Sequence, residues 1–291
     1  VHQNTYAEVN FPYLKEKNIQ LVRRTSGGGA VYHDYGNFIF ENIVIGNDEH
    51  FGEYDYFAKP ILDALHAMGA TDAQMHGRND IVIDGKKFSG MTMFKVGDSF
   101  AAGGTLMFDL DMDTASKVLT PEKDKLESKG VKSVNKRITN IKSYLDEPYR
   151  SMDPVQFKDE LLKHIFKVDK LSDIKTYKLT DHDWDIIDSR LKDKYDTDAW
   201  NYGKNPGFTN YVSKHFDIGT VAFNFSLKDE KISAIKIYGD FITGGDVSLI
   251  EKALLGTKFE KSALVEALSK VDLKNNLGDI EPEPLIDLLL S

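Results

Sequence analysis

Residues 23–37 read Arg23-Arg24-Thr25-Ser26-Gly27-Gly28-Gly29-Ala30-Val31-Tyr32-His33-Asp34-Tyr35-Gly36-Asn37. Two guanidinium groups precede three consecutive glycines, and a β-prone stretch then closes on His-Asp and Gly-Asn. Glycine turns a backbone sharply and admits a ligand with no Cβ in its way. The N–H groups of such a turn form a nest for an anion. Arginine adds a planar, permanently charged fork that suits phosphate or carboxylate. The plain alternative is a glycine hairpin with two surface arginines.

A second constellation follows at Gly77-Arg78-Asn79-Asp80 and Gly85-Lys86-Lys87-Phe88-Ser89-Gly90. An aspartate opens one strand of a hairpin and a lysine opens the other, so the two come close across the turn. A carboxylate and an ammonium near a phosphate nest suggest magnesium and nucleotide. Asp80 suits Mg²⁺, which takes one or two carboxylates plus phosphate oxygens. Lys87 suits the charge of a reacting phosphate. The plain alternative here is an ordinary cross-strand ion pair. A third element, Gly104-Thr105-Leu106-Met107 followed by Asp109, reads as a strand whose glycine permits close backbone approach.

The elements that must carry these residues can be read from spacing. A helix is expected over 4–17, interrupted at Pro12, and a strand over 19–24 leads into the glycines. Residues 30–33 and 36–45 read as a β pair. Ile61, Leu65 and Met68 recur at helical spacing within a helix over 54–68. Strands are expected at 80–84, 87–96 and 99–109, with turns at Asp84-Gly85 and Gly97-Asp98. Helices over 112–119 and 121–129 follow, then a polar joint at 146–153 and a helix over 154–168. A charged segment at 175–198 leads to Trp200-Asn201-Tyr202-Gly203-Lys204-Asn205-Pro206. A hairpin at 218–227 and 231–238 and two helices near 246–255 and 261–271 complete the chain. This is α+β: a large domain of mixed, mostly antiparallel sheets with flanking helices, plus a small α+β C-terminal accessory domain. The boundary is drawn between 1–172 and 173–291.

Composition narrows the function. The chain has 291 residues, 41% hydrophobic, with 17 Phe and 13 Tyr, enough for a substantial core. Cysteine is absent, which removes disulfides, thiolate metal sites and a cysteine nucleophile. No stretch approaches a membrane span and no signal pattern opens the chain, so a cytoplasmic protein is expected. The net charge of −9 argues against broad nucleic-acid binding. Charge is uneven, however. Lys123, Lys125, Lys129, Lys132, Lys136, Arg137 and Lys142 form a basic stretch, either a solvated face or a surface for an acidic protein.

Together these elements resemble the lipoate–protein ligase family, within the biotin/lipoate ligase fold, along nearly the whole chain. Arg24-x-Ser26-Gly-Gly-Gly-Ala-Val-Tyr-His33-Asp34-x-Gly36-Asn37 is the most specific match. Gly77-Arg-Asn-Asp80, Lys87-x-Ser89-Gly90 and Gly104-Thr105-Leu106 follow in the family's order. Lys125-Leu126-x-x-Lys129-Gly130-x-x-Ser133-Val134 and Arg137-x-x-Asn140 match the next segment, and Tyr202-Gly203-x-Asn205-Pro206 resembles the opening of the accessory domain.

The resemblance implies ATP-dependent activation of lipoate to lipoyl-AMP with release of pyrophosphate. Transfer to a lysine of lipoyl domains follows, on 2-oxoacid dehydrogenase acyltransferase subunits and glycine-cleavage H protein. By similarity, Arg24, Gly29, Ala30, Val31, Tyr32, Asn79 and Lys87 bind ATP. Arg24, Ser26, His33, Asn37, Lys87, Gly103 and Gly104 bind lipoate, Lys87 is catalytic, and Asp80 holds Mg²⁺. No nucleic acid or membrane partner is implied, and a monomer is expected. Octanoyltransferases of this fold attack through cysteine, which is missing here. A homologue that binds lipoate or lipoyl-AMP without transferring it is the alternative. Two departures bear on it. Gly103 stands where the family commonly has histidine, which implies an enlarged pocket or a lost ligand contact. Val1-His2-Gln3-Asn4-Thr5 resembles a point well inside family members, so a leading segment is expected to precede it.

Overall fold

The computed structural model describes residues 1–119, 137–203 and 208–291. The basic positions Lys123, Lys125, Lys129, Lys132 and Lys136, the helix expected over 121–129, the motif from Lys125 to Val134, and Lys204-Asn205-Pro206 lie outside them. Contacts divide the chain into two compact units. One comprises Val1–Ala30, Met93–Lys95 and Asp198–Ser291, and the other Val31–Thr92 and Val96–Thr197.

The chain begins with two short helices, α1 (Thr5–Glu8) and α2 (Phe11–Glu16), where one interrupted helix is expected. Asn10 causes the break: its side chain accepts from Tyr13 N at 3.3 Å and starts a new helix. Pro12 falls in the first turn of α2, where its missing N–H has no intrahelical partner to lose. The strand expected over 19–24 does not form. Arg23 N donates to Asn201 Oδ1 at 2.9 Å, and Arg23 O accepts from Trp200 Nε1 at 2.8 Å. Side chains thereby satisfy backbone groups that a strand would leave to its neighbour. The Arg23 guanidinium also donates to the carbonyls of Val1, Gln3 and Trp200 at 2.7, 2.9 and 2.8 Å. Arg23 therefore serves the fold, not an anion.

The second unit opens with β1 (Asn37–Val44). Residues 30–33 are not a strand, and β1 pairs antiparallel with β5 instead, from Asn37↔Met107 to Val44↔Phe100. Asp34 explains the change. Its carboxylate accepts from Gly36 N and from Asp111 N, each at 2.8 Å, so the chain turns back before β1 starts. Gly36 O then accepts from Phe108 N and Asp109 N, both at 2.9 Å.

Helix α3 (Tyr54–Ala67) follows, then β2 (Gln74–His76), β3 (Asp80–Ile83), β4 (Lys86–Val96) and β5 (Ser99–Met107). The sheet order is β1-β5-β4-β3-β2. The expected strands form. The three-residue β2 is additional, too short to show any alternation. Asp84 and Gly85 both take left-handed backbone, at φ +50° and +69°, as a tight hairpin turn of this kind requires. Tyr54, Phe57, Ile61, Ala64 and Leu65 give α3 one buried face. Phe57 meets Phe100 of β5 edge-on at 5.6 Å.

Helices α4 (Met112–Val118), α5 (Pro154–Phe166) and α6 (Asp181–Arg190) complete this unit. Phe157 of α5 stacks on Phe108 at 4.0 Å. Between α4 and α5, Asn140 Nδ2 donates to Leu110 O at 2.9 Å and Asn140 Oδ1 accepts from Leu110 N at 3.0 Å. One amide side chain thus imitates a neighbouring strand. Asn140→Ala strips both partners from Leu110 and is expected to cost about 1–3 kcal/mol. A lower urea midpoint would register it, and an unchanged midpoint would contradict it.

After α7 (Asp198–Asn201), β6 (Asn210–Phe216), β7 (Gly219–Lys228) and β8 (Lys231–Gly239) form an antiparallel sheet in sequence order. The expected hairpin is β7–β8, and β6 is an addition whose polar Ser213-Lys214-His215 hides its alternation. Four helices follow rather than two: α8 (Ser248–Leu254), α9 (Lys261–Leu268), α10 (Leu273–Asn276) and α11 (Pro282–Leu289). Phe223, Ile237, Ile250, Leu264 and Leu285 belong to one buried cluster beneath them. Among the described residues, no helix is long and apolar enough to cross a membrane.

Candidate active site

Each unit carries part of the predicted site. In the first, Arg24 folds back over the glycine turn. Its Nε donates to Ser26 Oγ at 3.1 Å, and its Nη2 donates to Gly27 O at 2.7 Å and Gly29 O at 2.9 Å. Burial lowers the Arg24 pKa from its ordinary value. The three glycines are needed for different reasons. A Cβ on Gly27 would lie 2.6 Å from Phe241 O, so the backbones meet there. Gly28 has φ +94°, a left-handed conformation. A Cβ on Gly29 would meet nothing within 4 Å, so the turn is open at that residue. Ala30 N donates to Glu8 Oε2 at 3.4 Å, which gives one N–H of the expected nest a protein acceptor. Ser26 is buried.

In the second unit, Lys87 Nζ lies 2.6 Å from Asp80 Oδ1, as the hairpin predicts. The two-residue turn fixes this: Ile83 faces Lys86 and Val82 faces Lys87, so Lys87 stands on the side of the sheet that carries Val82 and Asp80. Beyond Lys87 the strand bulges. The extra residue, Phe88, is fully buried, so Ser89 faces Ile81, and Gly90 rather than Ser89 faces Asp80. Lys87 N donates to Arg137 O at 2.8 Å and Lys87 O accepts from Thr139 N at 2.9 Å, so the backbone is held on its outer edge too. The Lys87 and Asp80 side chains remain 37% and 31% exposed.

Around this pair, Asn79 Nδ2 donates to Met91 O at 2.5 Å, which extends the β3–β4 ladder. A Cβ on Gly104 would lie 2.6 Å from Gly90 O, the close approach expected of that glycine. A Cβ on Gly103 would lie 2.3 Å from Phe40 O, so the β1 backbone, not open space, lies where a side chain would begin. Val31 and His33 are exposed, and Tyr32 O accepts from Asn37 Nδ2 at 2.9 Å. Asn37 Oδ1 and Ser89 Oγ are buried with no hydrogen-bond partner among the described residues. Sequence reading left Asp34 and Gly36 without roles, although an Asp two residues before a Gly is a turn signal.

Comparison with known proteins decides the family. A model described as "Lipoyl protein ligase A/B catalytic domain" matches residues 1–166, and one described as "Bacterial lipoate protein ligase C-terminus" matches residues 205–289. The chain belongs to the lipoate–protein ligase family. The ligase is 41% identical over 288 residues to lipoate-protein ligase LplJ of Bacillus subtilis (strain 168), across 99% of this chain and 86% of that protein. Its fold resembles P. falciparum LipL1 in complex with lipoate, at a TM-score of 0.75 and 24% identity over 99% of this chain and 82% of that one. It also resembles a lipoate-protein ligase A bound with ATP, at a TM-score of 0.55 and 21% identity over 69% and 79%. These two likenesses show the fold.

The ligase is therefore an enzyme. Among its described residues, no three His, Asp or Glu side chains converge to hold a metal ion. Asp80 offers a single carboxylate, already touching Lys87. That donor set suits a magnesium ion held largely by substrate phosphates and water, not one held by a protein cage.

Proposed function

We propose that this ligase joins lipoate to ATP, releases pyrophosphate, and passes the lipoyl group from lipoyl-AMP to a lysine of a lipoyl domain. The observation that carries this reading is Lys87, an accessible ammonium set by the hairpin register on the side of the sheet that bears Asp80. In activation a lipoate carboxylate oxygen bonds to the α-phosphorus, the bond from that phosphorus to its bridging oxygen breaks, and pyrophosphate leaves. Two anionic groups must approach, and a preorganised cation lowers that barrier. Lys87 stabilises the developing charge and then polarises the carbonyl of the mixed anhydride.

Arg24 and the backbone of Gly29, Ala30, Val31 and Tyr32 take the nucleotide phosphates, with Asn79 beside the nucleotide. Ser26, His33, Asn37, Gly103 and Gly104 shape the lipoate side, with Arg24 and Lys87 contributing to both ligands. The open surroundings of Gly29 and the unpartnered Asn37 Oδ1 support these roles. Magnesium would be held by Asp80 together with phosphate oxygens, and it supplies neutralisation of phosphate charge when bound. Residues 1–172 act as the catalytic domain and 173–291 as the accessory domain. The protein works in the cytoplasm as a monomer.

The acceptors are lipoyl domains of 2-oxoacid dehydrogenase acyltransferase subunits and glycine-cleavage H protein. The basic stretch from Lys123 to Lys142 steers an acidic acceptor. Reversing charge at Lys125, Lys129 and Lys132 is expected to slow transfer to protein about tenfold at low salt, with lipoyl-AMP formation unchanged. Equal transfer rates at low salt would remove this role. The central test is mass spectrometry of a lipoyl domain incubated with the ligase, ATP, Mg²⁺ and lipoate. A lipoyl mass increment with pyrophosphate release is expected. Lipoate binding without either product would overturn the reading.

A further inference from the structure

Gly90 stands directly opposite Asp80 in the β3–β4 ladder. A Cβ built there would lie 2.7 Å from Lys87 Nζ and 2.9 Å from Lys87 Cε, with Asp80 Oδ1 at 3.8 Å. These are the nearest neighbours, and all are side-chain atoms. The contrast with nearby glycines is sharp. Added carbons on Gly36, Gly103 and Gly104 would strike backbone at 2.1, 2.3 and 2.6 Å. Gly90 also has no left-handed backbone that would oblige it to be glycine. Neither packing nor conformation therefore requires glycine at position 90. Among the described residues, the atoms that come nearest to the space its missing side chain leaves are those at the end of the Lys87 side chain.

We propose that Gly90 is a positioning residue for the reaction: it keeps clear the space over the sheet through which the Lys87 ammonium reaches the reacting carboxylate and phosphate. This rests on the role given to Lys87 above. A methyl group at position 90 pushes the ammonium off the sheet by the distance that separates 2.7 Å from an ordinary van der Waals contact. A displacement of about 1 Å at a reacting centre can cost on the order of 10²-fold in rate.

The test is a double-mutant cycle on the intact chain. Lipoate-dependent pyrophosphate release from ATP is followed for wild type, Gly90→Ala, Lys87→Ala and the double variant, the last two at high enzyme concentration. Gly90→Ala is expected to lower kcat by about 10- to 100-fold. Its melting temperature should stay near that of wild type. In the Lys87→Ala background the same change is expected to have no further effect, because its target is gone. Wild-type kcat in Gly90→Ala would overturn the proposal, and so would a full additional loss on top of Lys87→Ala. If wild type is active and Gly90→Ala matches it, the proposal alone falls. If wild type releases no pyrophosphate, the lipoate-activation reading falls and takes the proposal with it.

Discussion

Lys87→Ala is expected to lower lipoate-dependent pyrophosphate release by about 10²–10³-fold, the usual cost of removing one transition-state donor from a preorganised site. The fold should survive. The ion pair with Asp80 is 37% and 31% exposed at its two ends, and pairs that accessible are worth about 0–1 kcal/mol. The backbone bonds from Lys87 to Arg137 and Thr139 do not involve the side chain and stay in place. Circular dichroism and thermal melting should therefore match wild type while adenylate formation slows by that factor. The loss should appear in kcat, since the ammonium acts where charge develops and not only where substrate binds. Pyrophosphate release at the wild-type rate would show that another group supplies the charge.

Gly36→Ala is expected to act in the opposite way, on stability before activity. The added carbon would sit 2.1 Å from Asp109 O and 2.3 Å from Asp109 C, both backbone atoms that cannot swing aside. Moving them breaks the two bonds that Gly36 O accepts from Phe108 and Asp109. It also disturbs the neighbouring Asp34 turn and the first β1–β5 pair, Asn37↔Met107. Overpacking of this kind costs about 3 kcal/mol. For a unit of this size that lowers the melting temperature by roughly 6–12 °C. A melting temperature within a degree of wild type would show that the turn relaxes without cost.

The chemistry-bearing hairpin was the most legible part of the chain. Asp84-Gly85 dictates a turn with two left-handed residues, and that turn brings Asp80 and Lys87 to adjacent strands. The bulge was not legible, because nothing in Lys86-Lys87-Phe88-Ser89 says which residue the ladder will skip. Residues 19–24 and 30–33 read as β from their residue types. At Arg23 the backbone partners are side chains of Asn201 and Trp200, far along the sequence, and no local pattern foretells them. The last two helices were missed for a different reason. α10 is only four residues long, and α11 opens on a proline that looks like a terminator but sits in its first turn. In the glycine run, residue type announced a special backbone. It could not divide the labour among Gly27, Gly28 and Gly29, since that depends on what packs against each.

The extra residue in β4 lies beyond Lys87 and decides what stands across from Asp80. Continued unbroken from the turn, the ladder would place Ser89 there; the bulge places Gly90 there instead. One skipped residue thus exchanges a hydroxymethyl group for bare backbone beside the lysine, so the length of this strand, and not only its composition, sets the room left for the ammonium.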